Sequence, residues 1–156
     1  LGLVYVDGKH DYEKAIENYT KAINIEPQTD YYINMAMAMA NGLGKYKDAF
    51  SYINTAINLE GLGKAYAARA TINSYLVNYK DAISDYKKAI DLNYNEFEVY
   101  NNLAFIYERE HKYKDAIETL KEYIQLLTGS NYQPHNKIVL DEINLKISRL
   151  NELINK

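Results

Sequence analysis

The chain has no cysteine and no tryptophan, and only two prolines and three histidines in 156 residues. Without cysteine there are no disulfides and no thiol chemistry, and the redox compartment stays undecided. Positive charge is also short: the formal net charge is −3. A phosphate backbone needs a basic field, so no nucleic-acid partner is expected. No apolar run approaches the roughly 18 residues of a bilayer-spanning helix, so no membrane insertion is expected. The first residue is Leu1 rather than methionine and the chain opens in mid-pattern, which reads as a fragment. A missing signal peptide therefore says nothing about export, and the compartment stays open.

What is present is a balanced composition, 47% apolar and 25% charged, as in soluble globular chains. One phrase recurs in it. Tyr79-Lys80-Asp81-Ala82-Ile83 is followed by Tyr86, Ala89, Ile90 and Leu92. Tyr46-Lys47-Asp48-Ala49 precedes Ile53, Ala56 and Leu59, and Tyr113-Lys114-Asp115-Ala116-Ile117 precedes Leu120, Tyr123 and Leu126. Tyr12-Glu13-Lys14-Ala15-Ile16 precedes Tyr19, Ala22 and Ile25. From alanine to alanine the steps are 34, 33 and 34 residues. A fixed period in this range marks an array of helical repeats, in which each unit buries its faces on its neighbours.

Punctuation divides the chain further. Leu1–Val6 reads as the tail of a helix, broken by Asp7-Gly8-Lys9-His10. Asp11 is placed to cap the next helix, which Pro27 ends. Asp30–Asn41 is expected as a helix that is apolar nearly all round, hence covered on most sides. Further helices are expected over 45–58, 64–76, 79–92, 96–110 and 113–127. The connection Glu60-Gly61-Leu62-Gly63 is one residue short. After a polar loop over 128–133, Pro134 is suited to open a last helix. Leu140, Ile143, Ile147, Leu150 and Ile154 form its stripe, and it has no repeat partner, so it is expected to cap the array. Ile138 and Leu145 lie nearly opposite that stripe, as a second contact surface or a dimer seam would.

Nothing here carries catalysis. His10 and His111 occupy the same turn position three repeats apart and cannot share a metal. Gly42-Leu43-Gly44-Lys45 and Gly61-Leu62-Gly63-Lys64 follow no strand and lack Ser or Thr after the lysine, so they read as helix ends, not phosphate loops. Asn18-Tyr19-Thr20 spells a glycosylation sequon, but in mid-helix. Asp48, Asp81 and Asp115 recur in the first turns of helices, where the helix dipole explains them. No nucleophile–base or paired-acid arrangement appears, so the chain is not expected to be an enzyme or to hold a metal or cofactor.

Over residues 1 to about 128 the pattern resembles the tetratricopeptide repeat family. The small residue at the helix crossing is matched by Gly2, Met37, Ala70 and Ala104, and that early in the second helix by Ala15, Ala49, Ala82 and Ala116. The large residue one turn on is Tyr19, Ile53, Tyr86 and Leu120; the next small one is Ala22, Ala56, Ala89 and then Tyr123. The resemblance implies an all-α, TPR-type superhelix of antiparallel helix hairpins. Residues 1–130 would be the array, with a truncated repeat 1–29 and repeats 30–63, 64–96 and 97–130, and residues 131–156 the capping helix.

It further implies a protein–protein interaction scaffold, holding a peptide or partner domain in a concave groove lined by first helices. The residues carried over to that groove are Tyr31, Asn34, Met35, Ala38 and Asn41, then Lys64, Ala67, Ala68, Thr71 and Tyr75, then Glu98, Asn101, Asn102, Phe105 and Arg109. Asparagine amides there would pair with an extended peptide backbone, and the alanines would leave room for a ligand side chain. Chaperone-binding members clamp a C-terminal carboxylate with lysines, asparagines and an arginine. Here only Lys64 matches; Ala68 holds the arginine place, and Leu3 and Met35 the asparagine places, so that specificity is not expected. Self-assembly into a homo-oligomer through the terminal repeat faces is the alternative.

Overall fold

The alanines that set the period all lie in helix-packing positions. In a computed structural model, which describes residues 9–129 and 136–155, Ala15 is 1% exposed and Ala49, Ala82 and Ala116 are 0%. A methyl group at such a point lets two backbones approach, and the large residue one turn on fills the adjoining groove. Tyr19, Ile53, Tyr86 and Leu120 take that role and are buried.

The described residues form helices α1 (Lys9–Ile25), α2 (Thr29–Met37), α3 (Tyr46–Glu60), α4 (Gly63–Tyr75), α5 (Tyr79–Asp91), α6 (Phe97–Arg109), α7 (Tyr113–Thr128) and α8 (Asn136–Ile154). No strand occurs among them. The chain divides into two compact units, Leu1–Tyr94 and Asn95–Lys156. In the first, α2 pairs with α3 and α4 with α5, while α1 packs on α2 and α3 on α4. Its core runs through Ile33, Ala36, Ala49, Ile53, Ala56, Ala65 and Ile72. In the second, α6 pairs with α7, and α8 packs on α7; on α8, Ile143 and Leu150 are fully buried. Each such aliphatic side chain contributes about 1.5–3 kcal/mol.

The second repeat departs from its expected register. α2, α4 and α6 begin at Thr29, Gly63 and Phe97, 34 residues apart. Ala36, Ala70 and Ala104 follow the same step, and all three are 0% exposed. The crossing residue is therefore Ala36, and Met37 is a half-buried neighbour. One extra residue then separates α2 from α3, and a π-helical turn at Ala38–Gly42 absorbs it. The chain closes that turn with a backbone bond spanning six residues, Lys45 N–H donating to the Met39 carbonyl at 2.9 Å.

The first helix of each pair ends alike. Gly44, Val77 and His111 adopt left-handed φ of 63°, 61° and 58°, which turns the next N–H back onto the helix. Asn78 N–H thus reaches the Asn73 carbonyl at 2.9 Å, and Lys112 N–H that of Tyr107 at 2.8 Å. Asp11 lies within the first turn of α1, not at its cap, where its charge still suits the helix N-terminus. Gly2, Leu3 and Pro134 lie outside the described residues.

Candidate functional site

The first-helix face of the amino-terminal unit is built by α2 and α4. With the 34-residue register, Asp30 stands where Lys64 stands, Asn34 where Ala68 stands, and Met37 where Thr71 stands. The first correspondence is direct contact: the Lys64 ammonium is ion-paired with the Asp30 carboxylate. Ala67 and Ala68 give α4 a low, nearly covered surface, beside half-exposed Asn34, Lys64 and Thr71. The Thr71 hydroxyl is 2.9 Å from the Tyr86 hydroxyl and donates to the Ala67 carbonyl at 3.0 Å. Tyr75, half exposed, stands at the end of the row with its ring 6.1 Å from that of Tyr46.

Two residues expected on this face are core instead, because the register slides by one. Met35 is 1% exposed, packed with Ala15 and Tyr19, and Ala38 is buried in the π-helical turn. Tyr31 is half-buried against the Met35 cluster, and Asn41 is exposed. Asp30 and Met37 take their places on the face; the opposite charges of Asp30 and Lys64 at one repeat's distance were the available signal.

Arg69, one residue beyond Ala68, is turned inward. Its Nε donates to Asp85 Oδ2 at 2.8 Å and Nη2 to Oδ1 at 2.7 Å. Nη1 reaches Asn54 Oδ1 at 2.9 Å, and the guanidinium lies 5.5 Å from the Tyr66 ring centre. Hydrogen bonding to Asp85 holds the arginine's pKa above its ordinary value. Both cations near this face thus carry a carboxylate of their own.

In the carboxy-terminal unit the residues of α6 meet α8. Lys146 Nζ donates to Asn101 Oδ1 at 2.7 Å and sits 3.5 Å from the Asn101 carbonyl. Arg149 Nη2 lies 2.7 Å from each oxygen of Glu108. Burial pushes the Lys146 pKa down, with Arg149 adding to it, against the raising pull of Glu108 and Glu142. Asn101 is therefore engaged within the chain. Asn102 is half-buried, while Glu98, Phe105 and Arg109 are exposed. Neither α8 contact was legible from repeat positions, since α8 lies outside the period. Among the described residues no group of three or more His, Asp or Glu side chains is arranged to hold a metal, and no helix is long and apolar enough to cross a membrane.

Comparison with known proteins agrees with this architecture. The sequence profile described as tetratricopeptide repeat matches residues 1–29, 63–96 and 97–126. The stretch between the first two is the repeat with the extra residue. The TPR repeat-containing protein MJ1428 of Methanocaldococcus jannaschii is 24% identical over 135 residues, 85% of this chain and 24% of that protein. This chain thus spans 14–24% of the length of curated relatives it matches. Among solved structures, the crystal structure of MamA superposes with a TM-score of 0.65 at 22% identity, covering 92% of this chain and 89% of that one. The first TPR of Spaghetti (RPAP3), bound to the HSP90 peptide SRMEEVD, superposes with a TM-score of 0.59 at 31% identity, covering 65% of this chain and 81% of that one.

Proposed function

Given that the chain belongs to the tetratricopeptide repeat family, we propose that it is a protein–protein interaction module that holds a peptide segment of a partner on the first-helix face of α2 and α4. The observation that carries this reading is the row Asp30, Asn34 and Met37 beside Lys64, Ala67, Ala68 and Thr71, a low apolar floor edged by amide, hydroxyl and Tyr75. A ligand side chain resting on Ala67 and Ala68 would bury apolar area, while Asn34 both donates to and accepts from the ligand backbone. The neighbour bound to SRMEEVD lends support to a peptide as the kind of ligand. Its acidic sequence does not carry over, because Lys64 is already paired with Asp30 and Arg69 with Asp85. An apolar or uncharged segment fits better.

The test is selection of binding peptides from a random library on the whole chain, followed by affinity measurement with variants. Asn34→Ala and Tyr75→Ala should each weaken the selected peptides by about fivefold or more, roughly 1 kcal/mol. The exposed second-helix residues Lys47 and Lys80 should tolerate alanine without effect. Sensitivity at Lys47 and Lys80 with indifference at Asn34 and Tyr75 would show that the wrong face has been chosen. The peptide SRMEEVD serves as the acidic comparator and should bind more weakly than the selected sequences.

A further inference from the structure

We propose that Lys146 is a nucleophilic lysine, and that the cleft beside it between α6 and α8 admits a short, uncharged acyl thioester that acylates its Nζ. The site uses none of the residues of the α2–α4 face. Its surroundings set this lysine apart. Of the lysines whose exposure is described, only Lys64 and Lys146 are half-buried; the rest are exposed. Lys64 is ion-paired with Asp30. Lys146 has no carboxylate within 4 Å among the described residues. Its Nζ rests instead on the Asn101 side-chain oxygen at 2.7 Å, with the Asn101 carbonyl farther off at 3.5 Å.

An ammonium group is poorly served in this position. Water and carboxylates favour the charged form of an amine, whereas burial and a cationic neighbour favour the neutral one. Burial pushes the Lys146 pKa down and Arg149 adds to this, outweighing the raising pull of Glu108 on α6 and of Glu142 on α8 itself. Glu108 is in turn bound at both oxygens by Arg149, at 2.7 Å each. Asn101 suits the neutral form as well as the charged one. A free amine keeps two N–H donors for the two Asn101 oxygens, and its third position holds the lone pair. Lower basicity also blunts an amine, but by less than it raises the free fraction, so at neutral pH the gain in free amine prevails.

The cleft supplies room and donors. It holds about 650 Å³ and is lined by Lys146 with Asn101, Glu142, Leu145, Arg149 and Glu152, against about 30 Å³ for one water. Leu145 gives an acyl methyl group an apolar wall. Two cations and two carboxylates share the lining, so neither sign of charge selects an ionic donor, and a neutral thioester meets no repulsion. The step balances without further reagents. The neutral Nζ forms a bond to the thioester carbonyl carbon, whose π pair moves onto oxygen. Arg149 engages Glu108 through Nη2 alone, which leaves N–H donors for that oxyanion. The tetrahedral adduct then collapses, the C–S bond breaks with its pair on sulfur, and the Nζ proton passes through water to the thiolate. The products are a Lys146 amide and a free thiol.

The experiment treats the whole chain at about pH 7.5 with S-acetyl-N-acetylcysteamine, an uncharged thioester. After quenching and digestion, mass spectrometry gives a rate for each lysine. Lys146 should acylate at least about tenfold faster than exposed Lys47 and Lys80. That advantage should vanish in urea, and in the folded chain the Lys146 rate should level off at a lower pH than in the unfolded one. Arg149→Gln should slow Lys146 about threefold, with Lys47, Lys80 and circular dichroism unchanged. Lys146 reacting no faster than Lys47 and Lys80, or at the same rate in Arg149→Gln, overturns the proposal, since burial would then only shield the amine. An advantage that survives in urea does so too, because local sequence and not the cleft would be its source. So does a larger advantage with acetyl phosphate than with the thioester, which would make the cleft a seat for anions.

Discussion

The Arg69 guanidinium and the Asp85 carboxylate form a two-pronged ion pair, at 2.8 and 2.7 Å, that ties α4 to α5 beneath the α2–α4 face. Asp85 is nearly buried and receives a weaker third contact from Asn73 Nδ2 at 3.4 Å. Removing one partner strands the other's charge in a poorly solvated place. Asp85→Ala should therefore cost about 3 kcal/mol, whereas the paired change Arg69→Met with Asp85→Leu should recover most of it. Urea denaturation of the three variants distinguishes these outcomes: equal loss in single and double variants would mean that packing, not charge, dominates.

Gly63 opens α4 where no side chain fits. A Cβ there would lie 2.6 Å from Tyr94 Cβ and 3.0 Å from the Ala89 carbonyl. Gly63→Ala should destabilise the amino-terminal unit by about 1–3 kcal/mol through overpacking, despite alanine's better helix propensity. A rise in melting temperature for this variant would show that the α4–α5 hairpin yields easily.

Val77 is the converse case. A β-branched residue at φ 61° is strained, and the equivalent position in the preceding repeat is Gly44 at 63°. Val77→Gly should stabilise by about 1 kcal/mol, the left-handed penalty exceeding the entropy glycine adds to the unfolded chain. Val77 is largely exposed, so little packing is lost. Thermal melts of wild type and variant decide the sign.

The repeat architecture was legible because alanine and aromatic side chains recur at fixed spacing, and those positions are where helices touch. The phase of the second repeat was not legible. Met35-Ala36-Met37-Ala38-Met39-Ala40 offers an apolar residue at every step, so the sequence pattern cannot distinguish Ala36 from Met37 at the crossing. The decision comes from packing on α1 and α3, which the π-helical turn accommodates. The inward course of Arg69 was hidden for a similar reason: its partner Asp85 lies 16 residues away and breaks no helical pattern. Asn101 looked free because its partner Lys146 sits outside the repeats.

Asn101 is predicted to hold α8 in place. Its side chain is the nearest acceptor of the half-buried Lys146 ammonium, at 2.7 Å. Asn101→Ala should destabilise α8 by about 1–2 kcal/mol and speed amide exchange across 136–154 with little change in α2 or α4. Lys146→Met, which removes the desolvated charge while keeping the stem, should be neutral or mildly stabilising. If Asn101→Ala leaves exchange in α8 unaltered, Ile143 and Leu150 alone anchor the helix.

Alkaline pH should weaken the carboxy-terminal unit through its tyrosines. Tyr100 is buried, with its hydroxyl donating to Asn95 Oδ1 at 3.0 Å, and its ring lies 5.0 Å from that of Tyr123. Burial, reinforced by nearby Glu122 for Tyr100 and by Glu96 and Glu98 for Tyr123, raises both hydroxyls above the ordinary value of 10.0. A pKa raised on folding means that the native chain keeps protons the unfolded chain has released, so this stability is complete below pH 10 or so and is lost as pH climbs through the raised values. Lys146 works in the opposite sense: its pKa is lowered by burial, and its contribution to stability grows as pH rises past that lowered value. On a Lys146→Met background the fall should therefore be steeper, and Tyr123→Phe should flatten it. Denaturant melts from pH 8 to about 11, read with tyrosinate absorbance, test the sign of each slope. An unchanged slope in Tyr123→Phe would mean that buried tyrosine is not what limits this unit in alkali.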